Sequence, residues 1–189
     1  MLFYIVSIDM GLFSRFKRRK EYKLSSTDFE TGKSDIEVVS TWFSPEVLAE
    51  HPELANQEEE EEITEETSVV EIDFEGDCID VTFDPREVKI EIDLFIERIN
   101  GHLNWLASNV DEVENVIVRD LLELKNSTWL QGDEFELKAI TFLKSIKLLS
   151  IHFFGDGAFE MFFDDGGLFA GHWIKVNVNS RREVEDASI

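Results

Sequence analysis

From Thr67 onward the chain alternates apolar and polar residues with a period of two. Val70, Ile72 and Phe74 alternate with Glu71 and Asp73, and Ile79, Val81 and Phe83 alternate with Asp80 and Thr82. Successive side chains of a strand point to opposite faces, so each run predicts a half-buried strand. Gly76-Asp77 supplies the tight turn of a β-hairpin between them. Pro85 interrupts the run, and Val88, Ile90 and Ile92 against Lys89, Glu91 and Asp93 predict a third strand. The period then changes to 3.6. Ile96, Ile99, Leu103 and Leu106 share one helical face, with Gly101 an interior weakness of ~1 kcal/mol relative to Ala. Asn109 followed by Glu112 has the spacing of a capping box and predicts a second helix with Val113, Ile117, Leu121 and Leu124 inward. Asp133 with Glu136 repeats the signature before a third helix that would bury Phe135, Ala139, Phe142 and Ile146. Strand character returns over Ser150–Phe154, Ala158–Phe163 and Leu168–Asn179. Their connectors, Gly155-Asp156-Gly157 and Asp164-Asp165-Gly166-Gly167, hold the Gly and Asp that turns require. Strands, then helices, then strands predict an α+β domain. An antiparallel sheet, made of an N-terminal β-hairpin plus third strand and a C-terminal three-stranded meander, packs against about three helices.

Upstream the periodicity fades. Leu12, Phe13 and Phe16 beside Arg15 and Lys17–Lys20 form a short basic amphipathic tip, and one strand is expected around Ile36–Trp42. Between Glu50 and Glu66 stand nine glutamates and no Lys or Arg, including the unbroken run Glu58–Glu62. Like charges at that density repel and extend a chain, which marks a solvated linker. The expected organisation is a basic tip and weakly structured segment over 1–48, an acidic linker over 49–67, the α+β domain over 68–180, and a tail over 181–189. Met10-Gly11-Leu12-Phe13 reads as an alternative start of the chain.

Charge narrows the choice of partners. The formal net charge is −23, while residues 1–24 carry six basic and two acidic residues, a net of +4. The remainder therefore holds −27, and a body so acidic repels phosphate backbones, which excludes nucleic-acid binding by the folded domain. A basic protein is the complementary partner, because opposite fields speed encounter and suppress wrong partners; the other reading of the charge is that it only keeps the protein soluble. With 16 Phe and 4 Trp the chain has material for a real core. Its single cysteine forms no internal disulfide and no Cys-based zinc site, which points to a reducing compartment and a cytoplasmic location. The apolar run Met1–Ile8 is far shorter than the ~20 residues a membrane span needs.

Two stretches are the most distinctive. One is Leu121-Leu122-Glu123-Leu124-Lys125-Asn126-Ser127-Thr128-Trp129-Leu130. The other runs Phe159-Glu160-Met161-Phe162-Phe163-Asp164-Asp165-Gly166-Gly167-Leu168-Phe169-Ala170-Gly171-His172-Trp173-Ile174. Together they resemble an uncharacterised bacterial family, domain of unknown function 2262, over roughly residues 69–180. The resemblance implies a fold and a bacterial origin but no activity, substrate or catalytic residue. Ala170 departs from the family pattern, which tends to have Trp there.

Candidate chemistry is sparse. Asp164, Asp165 and His172 are the residue types of metal ligands and general bases. Alternation along the last strand, however, puts Leu168, Ala170, His172, Ile174, Val176 and Val178 on one face, with His172 turned to the core and bonded to a turn carboxylate. Phe169 and Trp173 then fall on the opposite face with Lys175 and Asn177, where an aromatic pair either anchors a partner or is covered by a helix or by the N-terminal segment. Trp129 is expected to cap the core and Met161 to lie within it. Asp164-Asp165-Gly166-Gly167 lacks the ligand spacing of a calcium loop, and no G-x-S-x-G elbow, Walker or dinucleotide glycine pattern occurs. Cys78 sits on the polar side of its strand. No catalytic residue, metal or cofactor is assigned. The sequence therefore points to a non-enzymatic protein-interaction module, an immunity or antitoxin-like binder of a basic protein, with Asp164, Asp165, Phe169, His172 and Trp173 as candidate binding residues. The alternatives are a hydrolase using His172 with Asp164 or Asp165, and a protein held at a membrane surface through residues 10–24.

Overall fold

The computed structural model describes residues 21–35, 64–130 and 134–189. The described residues form three α-helices and a seven-stranded sheet in sequence order. The strands are β1 (Glu30–Asp35), β2 (Thr64–Phe74), β3 (Asp77–Phe83), β4 (Lys147–Phe153), β5 (Phe159–Asp164), β6 (Ile174–Val178) and β7 (Val184–Ser188). Neighbours pair antiparallel except β3 and β4, which run parallel. A parallel pair needs a long crossover, and here it carries α1 (Ile92–Leu106), α2 (Val110–Thr128) and α3 (Ala139–Ser145). The α+β class expected from the sequence is the class observed.

Alternation decides the core. Ile72, Phe74, Ile79, Val81, Phe83, Leu148, Ile151, Phe153, Phe159, Met161, Phe163, Ile174, Val176 and Val178 line one sheet face and are buried. They form one cluster with Phe95, Ile99 and Leu103 of α1, Val113, Ile117 and Leu121 of α2, and Phe142 of α3. Each buried aliphatic or Phe side chain contributes ~1.5–3 kcal/mol, so the pattern that predicts the strands also supplies the driving force.

Four readings are corrected. Val88–Asp93 is no strand, because the β3 edge it would need is occupied by β4. Asp84–Val88 turns instead, with Glu87 N–H on the Asp84 carbonyl and Val88 N–H on the Pro85 carbonyl, and Val88, Ile90 and Ile92 pack against the core from a loop and the start of α1. Asn109 is the residue before α2, but its side chain donates back to the Trp105 carbonyl (2.7 Å) and caps nothing. Phe135 is 90% exposed, since α3 begins four residues later at Ala139. Leu168–Asn179 is a strand only from Ile174 to Val178; Gly166, Gly167, Ala170 and Gly171 all have positive φ, which no strand accommodates.

Two strands appear in stretches read as unstructured. Val184–Ser188, in the stretch read as a tail, is the last strand, and α2 covers its outer side. Asp120 Oδ2 accepts the Ala187 N–H (2.9 Å) and Arg119 donates to the Glu185 carbonyl (3.0 Å), which satisfies an otherwise bare sheet edge. At the other end, residues 21–29 lie along α1. Asn104 and Asn100, one helical turn apart, each bond both the N–H and the carbonyl of one residue, Tyr22 and Leu24 respectively, at 2.7–3.1 Å. Tyr22 is buried and stacks on Phe74 (5.2 Å). The basic tip before Glu21, the strand expected near Ile36–Trp42, the acidic run up to Ile63 and the Asp133 cap lie outside the described residues.

Candidate functional site

The end of β5 and the loop that follows it hold the five residues singled out from the sequence, and the fold sorts them into two kinds. Asp165 is 4% exposed and turned inward. Its Oδ2 accepts the N–H groups of Phe169 (2.6 Å) and Gly171 (3.0 Å), and its Oδ1 accepts that of Gly167 (2.9 Å). Burial by itself would raise the carboxyl pKa, but these backbone donors outweigh it and hold the group below the usual carboxylate value. Asp165 is thus the hub around which the loop winds. Asp164 is exposed and accepts the Gly166 N–H (2.6 Å). Gly166 is obligatory, because a Cβ there would stand 2.0 Å from the Ser145 carbonyl oxygen at the end of α3.

Phe169 is fully buried, contrary to the expectation of an exposed aromatic pair, and His172 is exposed where the core was expected. The reason is common to both. The loop coils instead of extending, so the alternation counted back from Val178 loses its phase before Ile174. Phe169 meets Phe142 (6.1 Å) and the Trp129 ring edge-on (5.7 Å). His172 meets the same Trp129 ring, also at 5.7 Å. The two sequence stretches that carry the family resemblance therefore converge on one indole. Among the described residues no hydrogen bond joins His172 to Asp164 or Asp165, and the Asp165 oxygens are already occupied.

The other stretch has a structural task. Lys125 is 3% exposed and donates to the Trp129 carbonyl (2.7 Å) and Glu134 (3.0 Å), which closes the C-terminus of α2 with a cation. Asn126 pairs its amide with both backbone groups of Leu137 (2.8 and 2.9 Å), tying the segment after α2 to the helix.

The sheet face away from the helices is uncovered among the described residues. Register places two rows across it. One runs Val69, Thr82, His152, Glu160, Asn177, Asp186; the other runs Glu71, Asp80, Ser150, Phe162, Lys175, Ser188. These rows carry four carboxylates and one ammonium, Lys175, which pairs with Glu160 (3.1 Å). Trp173, two residues before Lys175, flanks the second row; it is 65% exposed, with its ring edge-on to Phe162 (6.2 Å). Cys78 is exposed on the same side; a hydrogen bond to Glu71, with carboxylates around it, holds its thiol pKa above the ordinary value, which disfavours the thiolate. The acidic rows went unremarked in the sequence, although the alternation that marks β2 and β3 contains them.

What emerges is an α+β protein whose described residues form one helical layer and a sheet with one uncovered, acidic face. Residues 67–189 match the model of the family described as "Uncharacterized protein conserved in bacteria (DUF2262)", and the chain belongs to that family. No curated protein and no solved structure matches the chain. Residues 21–29 and β1 precede the matched region, yet they pack on α1 and β2. Among the described residues, no helix is long and apolar enough to cross a membrane, and no group of three His, Cys, Asp or Glu side chains is placed to hold a metal ion.

Proposed function

We propose that this protein is a non-enzymatic interaction module of the bacterial cytoplasm that receives a basic protein on its open sheet face, in the manner of an immunity or antitoxin protein. The observation that carries the reading is the pair of rows with their carboxylates Glu71, Asp80 and Asp186, flanked by the exposed Trp173 beside Phe162. An aromatic anchor beside a charged field is how interfaces concentrate affinity and steer encounter. The overall charge of −23 acts in the same direction. It opposes nucleic acid as the partner.

The test starts from cells of the native host, where crosslinking should recover one or a few discrete basic proteins. With the purified pair, Trp173→Ala is expected to weaken binding by ~2 kcal/mol or more, the size of an interface hot spot. Glu71→Lys with Asp80→Lys should slow association at least tenfold at low salt (order of magnitude), an effect that fades as salt screens the field. Charge reversal within Glu58–Glu62 should leave the affinity within a factor of about two. Retention that survives both sheet-face changes, or that disappears with the Glu58–Glu62 change alone, sinks the reading.

A further inference from the structure

At the end of the sheet away from the loop just described, the β4–β5 and β6–β7 turns meet the middle of α1 and enclose a cleft of about 510 Å³. We infer that this cleft binds a phosphoryl group of a small molecule, held by Arg98, Arg182 and the imidazole of His102. α1 sets Arg98 and His102 at i and i+4, on the same side of the helix. The β6–β7 turn contributes Arg182 with φ of 68°, a left-handed conformation that L-residues adopt at a cost. Its guanidinium reaches over Gly101, where an added Cβ would stand 3.0 Å from Nη2. The helix-weakening glycine noted in the sequence thus gives this cation its place.

In a chain of 41 acidic and 18 basic residues, an arginine without a carboxylate is unusual. Arg181 follows the rule and pairs with Glu183 (3.0 Å). Arg98 and Arg182 do not; among the described residues neither has an ion-pair partner, although both line the cleft. Asp156 also lines it, and its Oδ1 accepts the Ala158 N–H (2.9 Å).

His102 supplies the independent observation. It is 5% exposed, with its ring against Phe153 (5.9 Å) and Phe159 (5.4 Å), and its Nδ1 is buried without a hydrogen-bond partner. A proton on Nδ1 would be a buried donor with nothing to receive it, which costs ~1–3 kcal/mol. The neutral ring therefore carries its proton on Nε2, the nitrogen toward Gly157 of the cleft wall. Burial, with Arg182 and Arg98 nearby, lowers its pKa to about 4, so it enters as a neutral donor. Two guanidinium forks and one imidazole N–H, drawn from two elements, suit the several oxygens of a tetrahedral dianion better than the two of a carboxylate. The volume leaves room for the group the phosphoryl is attached to.

The test uses the full chain and follows the His102 ring by NMR. Inorganic phosphate and ribose 5-phosphate serve as probes, and sodium chloride at equal ionic strength is the control. Saturable shifts of the His102 resonances are expected with both probes, with a rise in the His102 pKa. Tighter binding of the ester identifies a phosphorylated small molecule as the ligand, and equal binding identifies free phosphate. Arg98→Gln and Arg182→Gly should each weaken binding at least about tenfold. Because glycine accepts the turn's backbone, Arg182→Gly should melt no lower than the parent. Asp156→Asn, which keeps the turn acceptor and removes the opposing charge, should tighten binding several-fold. Shifts reproduced by chloride, an absence of saturation, or full affinity in Arg182→Gly would overturn the inference.

Discussion

Asp165 shows what a single carboxylate can do when backbone donors surround it. Three N–H groups of its own loop point at it, so an amide with one acceptor oxygen leaves buried donors unsatisfied. Asp165→Asn is expected to cost ~2 kcal/mol or more, read as a lowered denaturation midpoint at pH 7. Its folded pKa lies below the unfolded value. The carboxylate's stabilisation is therefore present above the unfolded pKa and is lost as pH falls through the folded one, a loss the Asn variant should not show. Tyr22 runs the other way. Burial raises its pKa from 10.0 to about 12. The unfolded chain gives up this proton first, so stability is intact below pH 10 and falls as pH rises from 10 to about 12. Replacing Tyr22 by Phe should remove that alkaline loss in melts recorded across the window. His172, exposed against Trp129, is expected to change stability by less than ~1 kcal/mol when replaced by Ala. Ala170, with φ of 56°, should gain up to ~1 kcal/mol on replacement by Gly, seen as a raised melting temperature.

The helices are held at their ends and flanks by amide side chains rather than by N-caps. Asn126 substitutes for a strand partner to Leu137, and Asn100 and Asn104 do the same for Leu24 and Tyr22. Each such asparagine satisfies two backbone groups at once, so Asn126→Ala is expected to cost ~1–3 kcal/mol by chemical denaturation. These roles carry no periodic signature, because the partner segment is distant in sequence or irregular. Phe135 makes the converse point. A capping pattern and an aromatic at the right spacing predict a buried helical residue, yet residues 134–138 follow a non-helical path, tied by the Glu134 carboxylate to Lys125 and by the Leu137 backbone to Asn126. Local propensity, worth tenths of a kcal/mol per residue, yields to such ties.

Across the whole molecule, the family region does not stand alone. Residues 21–29 seal one flank of α1, and β1 pairs along β2 from Glu30↔Val69 to Asp35↔Thr64. A protease site engineered between Glu50 and Glu62 should therefore yield a nicked protein whose two pieces co-elute, with residues 21–35 still bound to the larger one. Free release of the N-terminal piece under native conditions would mean that the boundary near residue 67 is also a structural one. The same organisation gives the sheet its two characters among the described residues: one face is closed by α1–α3, and the other carries its carboxylates in rows with no element over them.

Much of this was written into the sequence by itself. Period-two alternation determined β2 and β3 and the buried face of β6 from Ile174 onward, and strand character between turn residues marked β4 and β5 in outline. The 3.6 period determined α1 and α2, and the two distinctive stretches determined the family. Those signals survive because each is local and repeated, so no single contact can overrule it. Tertiary structure decided what depended on one distant partner. The parallel β3–β4 join displaced a strand-like run into a loop, and backbone donors gathered by Asp165 coiled the Leu168–His172 segment and exchanged the places of Phe169 and His172. The β1 and β7 pairings are of the same kind, since a short polar strand is stabilised by the edge it meets rather than by its own pattern. The arginines of the cleft, Arg98 and Arg182, far apart in the chain, become neighbours only when the last hairpin folds over α1.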